Sequence, residues 1–323
     1  MKRFLLASLG FALACSNAGS DLGPDPAQVR PLTVVLYLDR DGSGNQTPGD
    51  TAFTGARVEL RPLGGGRPVQ TAVSTRTGEA FFEVPVGYYA ISVDPASIGD
   101  TLAVGNIDPD FVQLRFDDIP LVVTIRLTFG ELSIRAVRQL PIGRRVLIRA
   151  RVLAGVQVFR DTTSHVADTS SQIRLTRVAL RGGLTGNLPG DSVTVLGTVS
   201  TRGGQPTLDQ AVITLLGNRP PPIPVSLSTA GAAAAFGGVL DAGLVQITGA
   251  LITDTATIAP DFLVVGNDGS GPVRVVLDAV TGINRATFIP GRSMTVRGVL
   301  VPVGDGTWAL KPRGPEDTFV FVP

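Results

Sequence analysis

The fold of this chain is decided by a segment that reads Leu-Pro-Gly-Asp-Ser-Val-Thr-Val-Leu-Gly-Thr-Val (188–199). It returns about 100 residues later as Ile-Pro-Gly-Arg-Ser-Met-Thr-Val-Arg-Gly-Val-Leu (289–300). In both copies Pro-Gly introduces alternating residue types, a pattern typical of a β-strand with one buried face. Gly197 and Gly298 lie where a bulge or bend would suit a residue without a Cβ atom. The sequence therefore predicts a repeated β unit.

Two further segments repeat with the same offset. Residues 146–153 match 245–252, and residues 165–175 match 265–275. The order is a long strand, a hairpin with an acid and Ser at its turn, and then the Pro-Gly strand. This order resembles bacterial OB-fold modules, which are five-stranded barrels. The resemblance implies two OB-like barrels, at 130–218 and 225–323, with the Pro-rich segment 219–224 as a stiff linker.

An acidic loop at residues 39–50 follows the first predicted strand of the mature chain. Oxygen-bearing side chains stand at loop positions 1, 3, 5, 7 and 12, with a glycine at position 6; they are Asp39, Asp41, Ser43, Asn45 and Asp50. Calcium takes about six to eight oxygen ligands, and a tight loop with such spacing can direct them to one point. Position 12 is Asp rather than Glu, and no helix pattern flanks the loop. The sequence predicts calcium there, and a plain polar hairpin remains the alternative.

The surrounding segment resembles a family of bacterial surface modules. A strand, the acidic loop, the strand around Val58, a Thr-x-x-Gly turn at 75–78, and then Phe, Pro, Gly and Tyr follow one another over residues 34–93. This order resembles the SdrD B-like or Cna B-like repeat of adhesins. The resemblance implies a β-sandwich over residues 31–129, stiffened by calcium as a stalk domain.

The N-terminus has the features of an export signal. Two basic residues, Lys2 and Arg3, precede an apolar run that ends in Ala-Leu-Ala-Cys (12–15). The run is too short for a permanent membrane span. Its end resembles a bacterial lipobox, which implies that residues 1–14 are removed, that Cys15 is lipidated, and that residues 15–30 form a flexible tether. An ordinary signal peptide with an incidental Cys is the alternative. Ser16 after the Cys implies sorting to the outer membrane, so we expect a cell-envelope location.

Composition narrows the classes of function. Cys15 is the only cysteine and His165 the only histidine, which excludes disulfide scaffolds, CxxC metal sites and multi-histidine metal sites. The only Ser/His/Asp set, around His165, lies on one short loop, and no Gly-x-Ser-x-Gly element is present. We expect the protein not to be an enzyme. No segment of the mature chain shows sustained helical periodicity, which favours an all-β fold.

Charge is uneven along the chain. Residues 130–218 carry 11 arginines against five acids, whereas the flanking thirds are acidic. Arg149, Arg151, Arg174 and Arg177 could form a row that binds a polyanion such as extracellular DNA or acidic glycan. The alternative is that arginine serves only as the solubilising cation of a chain with few lysines. Phe159 is the only aromatic residue of this third, and base stacking on rings is how OB folds hold single strands. We therefore do not expect nucleic acid to be a partner.

One aromatic residue of the second barrel invites a ligand interpretation. Trp308 follows the hairpin turn at 304–306 and could be a platform for a sugar, although an aromatic in this place is more often part of the core. Taken together, the sequence predicts an all-β, non-catalytic envelope lipoprotein with a structural or adhesive role. It would be held in the membrane by its lipid and would present two barrels to a protein or glycan partner.

Overall fold

A computed structural model describes residues 29–115, 121–182 and 187–321. The predicted signal peptide, Cys15 and nearly all of the tether lie outside these residues. The chain divides into two compact units, the first comprising residues up to 98 and 104–127, and the second residues 99–103 and 128 onward. The fold class predicted from the sequence is confirmed: the described chain is all-β, and its few helices are short.

The first unit contains two sheets in which most paired strands are antiparallel. Its elements are β1 (Val29–Leu38), β2 (Thr51–Ala52), β3 (Arg57–Pro62), β4 (Gln70–Val73), β5 (Glu79–Pro85), β6 (Gly87–Val93), α1 (Pro95–Ile98), β7 (Leu102–Asp108), β8 (Phe111–Leu114) and β9 (Leu121–Phe129). One sheet has the order β2-β1-β9-β7, with β5 paired to β1, and the other has the order β4-β3-β6-β8. Every second residue of β1, β3, β5 and β9 is buried, so each sheet has one apolar face, as in a β-sandwich.

The second unit contains the two repeats. The first repeat consists of β10 (Glu131–Leu132), α2 (Ile134–Val137), β11 (Arg145–Ala154), β12 (Ser164–Ala167), β13 (Gln172–Leu175), β14 (Ala179–Leu180), β15 (Ser192–Arg202) and β16 (Gln205–Gly217). The second consists of β17 (Val225–Ser226), α3 (Thr229–Ala233), β18 (Leu244–Ile258), β19 (Asp261–Asn267), β20 (Pro272–Leu277), β21 (Ser293–Pro302), β22 (Trp308–Lys311) and β23 (Thr318–Phe321). Two 3₁₀ turns, Arg285–Thr287 and Pro315–Asp317, complete it.

Each repeat closes into a five-stranded barrel. In the first, β11 pairs β12, β12 pairs β13, β13 runs parallel to β16, β16 pairs β15, and β15 returns to β11. In the second, β18, β19, β20, β22 and β21 pair in the same cyclic order, again with one parallel contact. This is the strand pairing of an OB fold. The three matched sequence segments fall on equivalent strands of the two barrels.

The acid-and-Ser turn of each repeat holds a short helix. Asp168 accepts the backbone N–H of Ile134 at 2.7 Å, and Ser170 accepts that of Arg135 at 3.1 Å. In the second barrel Asp268 and Ser270 do the same for the first two residues of α3, at 3.0 and 3.1 Å. Hydrogen bonds from Ser270 and Thr229 hold the pKa of Asp268 well below its usual value. The turns therefore serve as helix caps.

The glycine within the Pro-Gly strand meets a different structural constraint in each barrel. Gly197 lies at a register shift between β15 and β16, so the predicted bulge is confirmed there. At Gly298 a Cβ atom would lie 2.5 Å from the carbonyl oxygen of Lys311. No side chain fits in that space without moving the neighbouring strand.

We predict that Gly298→Ala destabilises the tandem-barrel unit by about 1–3 kcal/mol, because overpacking forces the β21–β22 backbone apart. Gly130→Ala is the matched control in the same unit, since a Cβ there has its nearest neighbour at 3.9 Å, and it should change stability by less than about 0.5 kcal/mol. Chemical denaturation of both variants measures the difference; equal stability would contradict the close approach.

Candidate functional site: a basic groove on the first barrel

An open cavity lies on the side of the first barrel where β11 and β12 meet the Pro-rich segment. It has a volume of about 980 Å³. Its basic lining residues are Arg149, Arg151 and Arg219, and its other walls come from Ala150, Ala167, Asp168, Thr169, Ser192, Pro220, Pro221, Pro222 and Ile223. We refer to it as the arginine groove.

Two of its arginines project from a strand whose other face is core. On β11, Ile148 and Val152 are buried inside the barrel, so the alternate residues Arg149 and Arg151 point outward, as the sequence predicts. The guanidinium of Arg149 is hydrogen-bonded to Glu131 on β10 at 2.8 Å, and both side chains are largely exposed. Hydrogen bonding to Glu131, followed by its charge, raises the pKa of Arg149. An exposed pair of this kind contributes little stability and leaves the cation accessible to a ligand.

The opposite wall is the Pro-rich segment, which lies against the barrel. A Cβ at Gly190 would lie 2.3 Å from the carbonyl oxygen of Arg219, and Gly190 has a φ of +98°. The Pro-Gly step therefore permits the segment to approach the barrel, and prolines give that segment a stiff backbone. Arg219 and Ile223 are thereby fixed beside β11. Ile223 is 91% exposed, which leaves an apolar side chain at the rim of a basic groove.

The structure does not bring the four predicted arginines together. Arg174 is buried and its guanidinium lies 2.8 Å from Asp161, so it forms part of no open surface. Arg177 pairs with Asp209 and does not line the groove. Arg219 was missed by the sequence analysis, because it lies in a segment interpreted as a linker. The run of prolines after it was the only signal that its position is fixed.

The face of an OB barrel that usually binds ligands is covered in the first barrel. That face comprises the second and third strands and the adjoining loops, here β12 and β13, and the second barrel packs on it. Gln172 donates to the carbonyl of Val239, and Gln205 donates to that of Asp241 at 2.5 Å. Arg138 binds Asp241 with two hydrogen bonds of 2.7 and 2.8 Å. The open surface of the first barrel is therefore the one that carries the groove.

Trp308 does not stand free as a platform. It is half-buried and packs against the core of the second barrel. This agrees with the alternative that the aromatic ring is part of the core.

The acidic loop of the first unit brings three of its five predicted side chains together. Carboxylate oxygens of Asp39, Asp41 and Asp50 lie within 4.8 Å of one another. The hydroxyl of Ser43 donates to the carbonyl of Asn45 at 2.9 Å, and Asn45 itself is exposed. The structure thus gathers the acids and turns the Ser43 hydroxyl back into its own loop.

Most of the carboxylates in this loop also accept hydrogen bonds from the loop itself. Asp39 is buried and accepts the backbone N–H groups of Ser43 and Gly44 at 3.0 and 2.9 Å. Hydrogen bonds from Ser43 hold the pKa of Asp41 below its usual value. Arg126 lies 3.2 Å from Asp39 and supplies one positive charge. Sequence reasoning missed Arg126, which lies on β9, a strand that pairs with β1 but is distant from the loop in sequence.

Comparison with known proteins gives matches only among solved structures. No protein-family model and no curated protein matches the chain. The HINa domain of Ifi202 in complex with 20-bp dsDNA is 13% identical over 56% of this chain and 96% of that one, with a TM-score of 0.26. A murine DNA-binding protein bound to dsDNA is 12% identical over 54% of this chain and 97% of that one, with a TM-score of 0.28.

A third similar structure is asparaginyl-tRNA synthetase from Pyrococcus horikoshii with asparaginyl-adenylate. It is 14% identical over 30% of this chain, with a TM-score of 0.24, and the match spans only 21% of the synthetase. At these scores the likenesses carry no argument about what this chain binds, and the OB-like assignment rests on the strand pairing described above.

The expectation that nucleic acid is not a partner is wrong and is withdrawn. Two of the similar structures hold double-stranded DNA, although at their scores this assigns no ligand to this chain. Our expectation relied on the shortage of aromatic rings, which matters for stacking the bases of single strands. A duplex presents its phosphates outside its stacked bases and needs no such rings.

Proposed function

We propose that this protein is a non-catalytic binding protein of the cell envelope whose first barrel holds an anionic polymer in the arginine groove. The observation that carries this proposal is the convergence of Arg149, Arg151 and Arg219 on one open cavity of about 980 Å³. Three guanidinium groups on one surface attract closely spaced phosphates, sulfates or carboxylates.

The groove has little acidic opposition. Asp168 is its only acidic lining residue, and its carboxylate accepts hydrogen bonds from Ser170, Ser171 and the start of α2. Burial raises the pKa of Asp168, but these hydrogen bonds outweigh it and lower the pKa, so the residue is ionised at neutral pH. The charge of Asp168 is thus directed into the helix cap. Glu131 is paired with Arg149 at 2.8 Å, but the pair is exposed, so a ligand can compete for that arginine.

The groove would recognise the charge of a polymer rather than its sequence. No aromatic ring is among its described lining residues, so it has nothing on which bases could stack. Guanidinium contacts to a phosphate or sulfate backbone carry no sequence information. The class of ligand is therefore a repeating polyanion, either an acidic glycan or nucleic acid of any sequence.

The absence of catalysis is part of the proposal. His165 is fully buried beneath the second barrel, and the hydroxyl of Ser164 donates to the carbonyl of Ala154 at 2.7 Å. Neither side chain is placed to act on a substrate from solution.

An envelope location is supported by the sequence of the N-terminus, with Cys15 as the lipidated residue. Within the described residues, no helix is long and apolar enough to cross a membrane. On this proposal the lipid anchors the chain in the outer membrane, and the sandwich unit is a stalk that carries the barrels.

A second candidate role concerns that stalk. Asp39, Asp41 and Asp50 supply three hard oxygen ligands within 4.8 Å, and Asp39 accepts the N–H of Gly44, the glycine at loop position 6. These residues fit calcium, which would add the cross-link that a structural or adhesive stalk needs. Arg126 would remain as the neighbour that limits the negative charge around Asp39.

Replacing Arg149, Arg151 and Arg219 together with Ala should weaken binding to heparin and to duplex DNA. For DNA, each lost phosphate contact reduces the slope of log K against log salt by about 0.9, so the slope should fall by about 2–3. Affinity measured across a salt series gives both numbers. Arg144, Arg177 and Arg202, which are exposed elsewhere on the first barrel, provide the matched triple replacement. Equal losses in the two triple variants, or no binding by the wild type at low salt, would contradict the groove.

Calcium should raise the melting temperature of the sandwich unit, because a ligand that binds only the folded state stabilises it by about 2.7 kcal/mol at 100 times its Kd. Calorimetry of the mature chain in calcium and in chelator measures this. Asp39→Asn with Asp41→Asn should abolish the difference, whereas Glu83→Gln with Asp110→Asn should keep it. A transition that is the same with and without chelator would identify the loop as a plain hairpin.

Cys15→Ser should release the protein from the membrane fraction and abolish its labelling by radioactive palmitate, since the thiol is the only acceptor for the lipid. Ser16→Asp is the control that keeps the lipid and, in a Gram-negative host, shifts the protein from the outer to the inner membrane. A wild-type chain that takes up no label would refute lipidation.

A further inference from the structure

The contact between the two barrels encloses the only histidine of the chain. His165 lies on β12 and points away from the core of the first barrel, since its neighbour Val166 points inward. Its side chain is fully buried, and Lys311 of the second barrel is among the charged groups close to it. Its ring stands edge-on to Phe159, with centroids 6.1 Å apart, and neither ring nitrogen has a hydrogen-bond partner among the described residues.

The acids around this histidine are already paired with other cations. Arg174 and Asp161 of the first barrel pair at 2.8 Å, and Lys311 of the second barrel pairs with Asp278 at 2.8 Å. Lys311 also lies 3.9 Å from Asp161 and 4.5 Å above the ring of Phe159. Arg202 adds a further positive charge near Arg174. A protonated imidazole would therefore be an extra buried cation with no free anion beside it.

We propose that the second barrel is held on the first by an acid-sensitive contact, and that protonation of His165 undocks it. Undocking uncovers the β12–β13 face of the first barrel with Phe159 and Arg174, the side on which OB barrels usually take ligands. The proposal rests on the interface alone and does not depend on the arginine groove.

The direction of the pH effect follows from linkage. Burial, and then the charge of Arg174, lower the pKa of His165 to about 3; Asp161 opposes this and Lys311 adds to it. An uncovered histidine titrates near 6.5. Between these values the undocked state binds the proton and the docked state does not, so docking weakens as the pH falls. The docking equilibrium should fall about 30-fold between pH 7.5 and pH 5.

Asp161, a carboxylate of the interface, acts at lower pH. Burial raises the pKa of Asp161, but Lys311, Thr163 and Arg174 lower it more, so it lies below its usual value. Loss of that charge affects docking only below about pH 4. We therefore attribute the change in docking between pH 6.5 and 4.5 to the protonation of His165.

A cysteine at a buried interface position measures undocking directly. In a mature chain with Cys15→Ser, Val299→Cys places a thiol in the apolar cluster between the barrels. Val195→Cys, in the core of the first barrel, is the matched reporter of global unfolding. Reaction with a disulfide reagent that remains active in acid gives the opening equilibrium, once each rate is divided by that of the unfolded chain at the same pH.

We expect the normalised rate at Val299→Cys to rise about 30-fold from pH 7.5 to pH 5. It should exceed the rate at Val195→Cys at every pH, because undocking opens the contact while the first barrel stays folded; the Val195→Cys rate rises by the same factor, since unfolding also exposes His165. His165→Leu should make the Val299→Cys rate independent of pH, and His165→Gln serves the same purpose if the leucine variant does not fold. The proposal is overturned by an unchanged rate at Val299→Cys, by equal normalised rates at the two reporters, or by the same rise in the histidine variants.

Discussion

The pairing of Lys311 with Asp278 beneath Phe159 is the interaction on which the tandem-barrel unit depends. Both charged groups are almost fully buried, and the ammonium is also stacked on an aromatic ring contributed by the other barrel. A buried ion pair of this kind adds little net stability, but removing one partner leaves an uncompensated charge at a cost of about 3–5 kcal/mol. Both partners belong to the second barrel, and the pair meets the first barrel through Phe159 and through the backbone N–H of Arg160, which donates to Asp278 at 3.2 Å. It therefore fixes the position of one barrel on the other more than it strengthens the contact.

The two barrels show how one β unit is used for two purposes. Arg174 and Arg274 are equivalent residues, and each pairs with an aspartate. Arg174 is buried under the second barrel, whereas Arg274 pairs with Asp305 at an exposed hairpin. The loop between β11 and β12 carries Phe159 and Asp161, while the corresponding turn of the second barrel is short. Differences in this loop, rather than in the barrel, determine which face of the first barrel is covered.

Much of the fold could be predicted from the sequence, because strand alternation, Pro-Gly steps and the repeat depend on short-range pattern. The two-residue period of a strand was enough to predict which side chains of β11 point inward, Ile148 and Val152, and which point outward, Arg149 and Arg151. The candidate site was less accessible to such reasoning. Arg126 reaches Asp39 from 87 residues away, and Arg174 is buried by a barrel that begins some 50 residues later. Pattern assigns a residue to one face of its strand, but it cannot tell which faces another domain covers.

The covering of the β12–β13 face also explains why the open basic surface lies where it does. With its usual ligand face given to a neighbour, the first barrel still offers the outer side of its first strand, β11, where Arg149 and Arg151 are exposed. The Pro-rich segment makes it concave: its carbonyl approaches Gly190 closely, which sets Arg219 opposite Arg149 and Arg151. A flexible linker would lose too much conformational entropy to remain there, whereas consecutive prolines have little to lose. The segment that joins the barrels therefore also completes the groove.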